Sequence, residues 1–212
     1  EKVYRQVIAE EGSTPGDRAL GNLCLSYWLH SEQEQAFETA YAQFNAASSM
    51  TMVMGALLAL NQHDCAQRTQ ALAAFYQKWK AQPLVVNKWL MLQASAPLPE
   101  TLAQVQACCL HGAFNIKNPN NVYALLLGFT SNLPCFHEPS GRAYQWVAEQ
   151  VLRIDASNPQ VAARLVTPLT RFMVLPLSQQ EKMKSALRHI HSHPVLSNDV
   201  KELVNKALVT TV

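Results

Sequence analysis

The segment Asn158–Leu169 reads NPQVAARLVTPL, and a near copy, NPNNVYALLLGF, stands forty residues earlier at Asn118–Phe129. In each, the Asn side chain is placed to accept a hydrogen bond from a first-turn N–H. The Pro behind it has no N–H to lose and a φ already close to helical. The later apolar residues fall at helical spacing: Val122, Leu125, Leu126 and Phe129 in one segment, Val161, Ala162, Leu165 and Leu169 in the other. Both segments therefore predict a helix opened by an Asn-Pro cap, and their spacing suits stacked helix pairs of the HEAT type. Pro168, inside the second segment, should kink that helix or end it early, because its ring displaces a backbone hydrogen bond.

The same period runs outward in both directions. Leu20, Leu23, Cys24, Tyr27 and Trp28 make one stripe, and Phe37, Ala40, Tyr41 and Phe44 the next. Cys65, Leu72, Tyr76 and Trp79 come after it, then Val85, Trp89 and Leu92, then Leu102, Val105 and Cys109. Tyr144, Val147, Val151 and Ile154 and later Met183, Ala186, Leu187 and Ile190 carry the pattern towards the end. No alternating β-branched run is long enough for a strand. The chain reads as all-α, a two-layer, HEAT-like array of about ten or eleven stacked antiparallel helices, given usual helix and link lengths. Ser31, Asp64 and Ser178 are expected N-caps, with Ser178–Glu181 (SQQE) a capping box. Pro83 and Pro99 fit helix starts. The stretch Thr130–Gly141 (TSNLPCFHEPSG) reads as a loop over the surface.

Bulk properties narrow the function. At 212 residues, 49% hydrophobic and 15% charged, the chain can bury a real core. A net charge of +2 with no basic, aromatic-interleaved stretch argues against a nucleic-acid partner. The longest apolar run, Met50–Leu60, falls far short of the roughly 20 residues a membrane helix needs, so no membrane partner is expected. No secretory leader is visible, and a start at Glu1 without Met suggests a piece of a longer protein. Five cysteines (Cys24, Cys65, Cys108, Cys109 and Cys135) in no framework spacing read as reduced thiols, hence a cytoplasmic location.

No active site is visible in the residues alone. HIHSHP sets His189 and His193 four apart, but no Glu stands between them as zinc-peptidase chemistry requires. An exposed last helical turn stopped by Pro194 is the expected reading. Cys108-Cys109 is not a C-x-x-C redox pair. His137 and Glu138 are neighbours with no nucleophile close in sequence.

A family resemblance adds to this. FNIKNPNNVYALLLGF, FHEPSGRAYQWVAEQVLRIDASNPQVAARL and the upstream VVNKWLMLQA resemble the carboxy-terminal domain of bacterial aminopeptidase N, a zinc-dependent alanyl aminopeptidase of the M1 class. RALGNLCLSYW and QEKMKSALRHI look like the same domain's two ends, so the resemblance covers essentially residues 1–212 as one helical cap. The family's H-E-x-x-H zinc helix and G-A-M-E-N loop are not in this sequence. The resemblance assigns them, with the zinc, to a separate catalytic domain of the same polypeptide, and no cofactor to this chain. It also implies that the cap closes over a chamber reached by a narrow channel for peptide substrates.

On that resemblance, first-turn residues of the two Asn-Pro helices line the channel: Gln160 and Arg164 from one, Asn120 and Tyr123 from the other. Thr167 and Arg171 continue the Gln160/Arg164 face. The family commonly has Arg where Tyr123 stands, which alters the channel's charge. Two plainer readings stay open: Asn120 finishes the cap, and Arg164 pairs with a neighbouring acid. The alternative for the whole chain is a stand-alone helical-repeat module that binds a peptide or protein without catalysis.

Overall fold

Thr14 opens the first long helix with a reciprocal cap, its Oγ1 accepting from the Asp17 N–H while its own N–H donates to the Asp17 carboxylate at 2.8 Å. The computed structural model describes residues 1–9 and 14–209, without the side chains of residues 8 and 9, and every regular element among them is helical. The all-α expectation holds. Two compact units appear, and the division falls near the end of one helix, Pro83–Ser95.

The first unit contains α1 (Lys2–Ala9), α2 (Pro15–Leu29), α3 (Glu34–Ala46), α4 (Met50–Leu60), α5 (Ala66–Trp79) and most of α6 (Pro83–Ser95). Its core includes Leu25, Leu29, Leu57, Leu60, Phe75 and Leu90, with the small side chains of Ala36 and Ala40 fully buried on α3. A Cβ at Gly55 would stand 2.1 Å from the Asn22 side chain, so the Asn22 amide of α2 occupies the space that a larger residue on α4 would need. Gln43 ties the helices by polar bonds: its amide donates to Asn22 Oδ1 and to the Met52 carbonyl, both at 3.0 Å, and its Oε1 accepts from the Tyr4 hydroxyl at 2.8 Å. Trp89 is buried, as its stripe predicts, and its indole N–H donates to the Leu72 carbonyl at 3.2 Å.

α2 departs from its predicted face. Trp28 is buried, but Leu20, Leu23 and Tyr27 are 44%, 54% and 72% exposed, and Gly21, Leu25 and Leu29 face inward instead. The helix is apolar on more than one side, and periodicity alone does not choose between them.

The second unit contains α7 (Thr101–Leu110), α8 (Pro119–Val122), a π-helical turn (Tyr123–Leu127), α9 (Gly128–Thr130) and α10 (Leu133–Phe136). α11 (Arg142–Asp155) and α12 (Pro159–Val166) come next. Two 3₁₀ turns (Thr167–Thr170 and Phe172–Val174), α13 (Leu177–His191) and α14 (Asn198–Val209) complete it. Its core is aromatic: Tyr144, Phe129, Phe136 and Phe172 are essentially fully buried, and Phe136 meets Tyr144 edge to face at 5.2 Å.

Two expectations need correction. Thr130–Gly141 is not simply a surface loop: it carries α10 and buries Asn132, Cys135 and Phe136. Asn132 anchors it by donating to the Ala94 carbonyl at 2.9 Å. The expected caps also shift. Ser31 closes α2 by donating to the Trp28 carbonyl, Cys65 precedes α5 in place of Asp64, and α13 begins at Leu177 behind Pro176, which puts Ser178 inside the helix. The true start of α11 is marked by Gly141, whose φ of 77° lies in the left-handed region. No helix among the described residues is long and apolar enough to cross a membrane.

Candidate functional site

Both Asn-Pro caps form. Asn118 Oδ1 accepts from the Asn120 N–H at 3.0 Å, and Asn158 Oδ1 accepts from the Val161 N–H at 3.2 Å, with Pro119 and Pro159 at the first helical positions. After these matched starts the two segments diverge. α8 widens after one turn into the π-helix, where the Gly128 N–H reaches back five residues to the Tyr123 carbonyl. A π turn puts one extra residue into the helix and so rotates the turn before it relative to the turn after it, a distortion common at functional sites. α12 instead tightens: it stops at Val166 and passes into a 3₁₀ turn at Pro168, where the proline was expected to end it.

The divergence brings two of the four predicted residues together. The Arg164 guanidinium lies over the Tyr123 ring, 5.3 Å from its centroid, a cation–π contact between α12 and the π turn. No carboxylate lies within ion-pair distance of Arg164 among the described residues, so the paired-acid reading is not what the structure holds. Gln160 and Asn120 are exposed on their first turns, and Asn120 contributes its backbone N–H, not its side chain, to the Asn118 cap.

Beside Arg164 opens a cavity of about 740 Å³. Arg164, Thr167 and Arg171 line one side, since the 3₁₀ turn carries Arg171 round to it. Leu133, Phe136 and His137 from the α10 segment line another. Neither a sequence motif nor a spacing pointed to His137. Its Nδ1 stands 2.8 Å from the hydroxyl of Tyr144, a residue with no exposed surface. Burial lowers the His137 pKa, keeping the ring neutral, and burial followed by the nearby Glu138 charge pushes Tyr144 up to about 12.

The other candidate chemistry dissolves. Burial pushes the Cys108 thiol up to about 11. Burial, then the neighbouring Cys108, does the same to Cys109, so neither is an activated nucleophile. His189 hydrogen-bonds Glu149 at 2.6 Å on α13, whereas His193 lies beyond the helix end with Nδ1 against the Val195 carbonyl at 2.9 Å. The two imidazoles do not share a helix face. Among the described residues no three His, Cys, Asp or Glu side chains converge as a metal site would need.

Comparison with known proteins places this architecture. The chain is 35% identical over 202 residues to aminopeptidase N of Caulobacter vibrioides, covering 95% of this chain and 23% of that protein. It is 34% identical over 206 residues to aminopeptidase N of Escherichia coli, covering 97% of this chain and 24% of that protein. The crystal structure of Legionella pneumophila aminopeptidase A in complex with aspartic acid superposes with a TM-score of 0.91 at 32% identity, over 99% of this chain and 26% of that one. The chain thus spans about a quarter of the length of these relatives and is homologous to their C-terminal region. Residues 2–209 match the family described as "Domain of unknown function (DUF3458_C) ARM repeats", and the chain belongs to that family.

Proposed function

We propose that this chain is the helical cap of a zinc-dependent aminopeptidase, closing the active-site chamber and lining the channel through which peptides reach it. Residues 1–212 act as one cap, joined in the same polypeptide to the catalytic domain that holds the zinc and removes N-terminal residues. Gln160, Arg164, Asn120 and Tyr123 face the peptide. The reading carries with it a reducing, cytoplasmic setting, consistent with five free thiols. The observation that carries it is the TM-score of 0.91 to an aminopeptidase over 99% of a chain whose own sequence lacks the family's zinc helix. The juxtaposition of Arg164 and Tyr123 supports the channel assignment, because a guanidinium held by a ring and by no acid among the described residues keeps its charge for a ligand.

The test is kinetic and uses the complete enzyme. A peptide carries a carboxylate and downstream carbonyls for Arg164 to hold, while a small aminoacyl anilide does not. Arg164→Ala should raise KM for a tripeptide, a loss of about 1–3 kcal/mol in kcat/KM, and should affect the anilide much less. Gln160→Ala should act in the same direction, more weakly. Equal losses on both substrates would make Arg164 an interface residue, and no change on either would remove it from the channel.

A further inference from the structure

The cavity beside Arg164 has a composition that the channel reading does not use. Its size, about 740 Å³, lies within the roughly 300–1,000 Å³ usual for small-ligand pockets. Its walls are mostly apolar, with Leu133, Phe136, Val174 and Leu175 among them. The charged groups that line it are two guanidinium ions, Arg164 and Arg171, and no carboxylate among the described residues lines it with them. Neither guanidinium is in an ion pair with a described residue. The hydroxyl of Thr167 already donates to the Ala163 carbonyl, and that of Thr130 to the Leu127 carbonyl, so their protons are spent on the backbone.

His137 supplies a further donor. The Tyr144 phenol is fully buried, and His137 Nδ1 is its hydrogen-bond partner. A buried O–H needs an acceptor, and one left unmade costs the full desolvation of the group. Nδ1 therefore accepts, and the neutral ring carries its proton on Nε2. A cavity lined by two guanidinium ions, a neutral imidazole and apolar side chains is complementary to an anion that carries an apolar body.

The geometry points to this cavity as the seat for the C-terminal residue of a peptide, its α-carboxylate held by Arg171 and Arg164 with the His137 N–H, and its apolar side chain among Leu133, Phe136 and Leu175. The assignment of a peptide rests on the reading of the chain as an aminopeptidase cap. The same carboxylate chemistry is offered by a free apolar amino acid, but its ammonium would be brought towards two guanidinium charges. An N-blocked residue, as at the end of a peptide, avoids that repulsion.

The test is equilibrium binding to the 212-residue chain, measured by calorimetry, with N-acetyl-L-leucine, N-acetyl-L-leucinamide, free L-leucine and acetate as probes. The acid should bind saturably. The amide, which lacks the charge, the free amino acid, which adds an ammonium, and acetate, which lacks the side chain, should each bind at least about tenfold more weakly. Arg171→Gln, at an exposed position, should weaken the acid about tenfold and leave the amide unchanged. Leu175→Trp, at a half-buried position in the lining, should narrow the cavity and weaken acid and amide alike, and both variants should keep the wild-type helical spectrum. The assignment is overturned if acid and amide bind equally, if leucine or acetate matches the acid, if Arg171→Gln has no effect, or if the acid does not bind. Neither variant touches the residues of the tripeptide-versus-anilide comparison. A flat titration therefore sinks the pocket and leaves the channel reading standing.

Discussion

Asp155, just before the Asn158 helix, ties the end of α11 to the start of α14. It ends α11, three residues before the Asn158 cap, and is only 6% exposed. Its Oδ2 accepts from the Ser197 N–H at 2.8 Å and its Oδ1 from the Ser197 hydroxyl, while the Ser197 Oγ in turn accepts from the Val200 N–H at 3.3 Å. One carboxylate thus joins the end of α11 to the start of α14. A hydrogen bond to a charged group contributes about 1.5–3 kcal/mol net. Two such bonds would give about 3–6 kcal/mol, but Ser197 is only partly buried and regains water once freed. Asp155→Ala should therefore cost about 2–4 kcal/mol, read from the midpoint and slope of urea unfolding. Asp155→Asn keeps an acceptor for the Ser197 N–H but loses the charge, and should cost about half as much. A double-mutant cycle of Asp155→Ala with Ser197→Ala isolates the side-chain bond, with an expected coupling of about 1–2 kcal/mol. A cost below about 0.5 kcal/mol for Asp155→Ala would refute the idea that this carboxylate holds α11 to α14, and additive singles would remove the Ser197 hydroxyl from that link, leaving its N–H.

Trp89→Ala should destabilise the first unit by about 3–5 kcal/mol, because it empties a buried aromatic site and removes the indole bond to the Leu72 carbonyl; a tolerant Trp89 by thermal melting would contradict its burial. With thiols pushed up to about 11, Cys108 and Cys109 should stay unmodified by iodoacetamide at about pH 8 in the folded chain and react only on denaturation, as mass spectrometry would show. Acid should also weaken the fold through His137. Its folded pKa is lowered by burial, so the unfolded chain takes up the proton first, and the stability of the neutral ring is full above about pH 6.5. That stability is lost as pH falls from there through the folded value. The melting temperature should drop over this window and His137→Gln should flatten the dependence; equal slopes in both proteins would exclude the histidine as its source.

The sequence determined the helical class, the two Asn-Pro caps and the break at Pro168, because each is settled within about one helical turn. A cap needs only an acceptor and the N–H two or three residues on. Proline acts on its own φ and on the carbonyl of the preceding turn. It also placed the Tyr144 stripe in the core, since only one side of α11 is apolar enough to bury, and it put Trp89 inside although α6 is apolar on most sides. It did not determine which side of α2 faces inward, because Leu20, Leu23 and Tyr27 compete with Gly21, Leu25 and Leu29 for the same role. Neither did it foresee the π turn at Tyr123 or the buried α10, whose residues look loop-like until Asn132 finds the Ala94 carbonyl thirty-eight positions away. Spacing put Thr167 and Arg171 on the Arg164 face, but the contact of Arg164 with Tyr123, and the cavity that joins His137 to that face, belong to the tertiary structure. They bring together side chains far apart in sequence, and local propensity holds no information about which helix a guanidinium or an imidazole will meet.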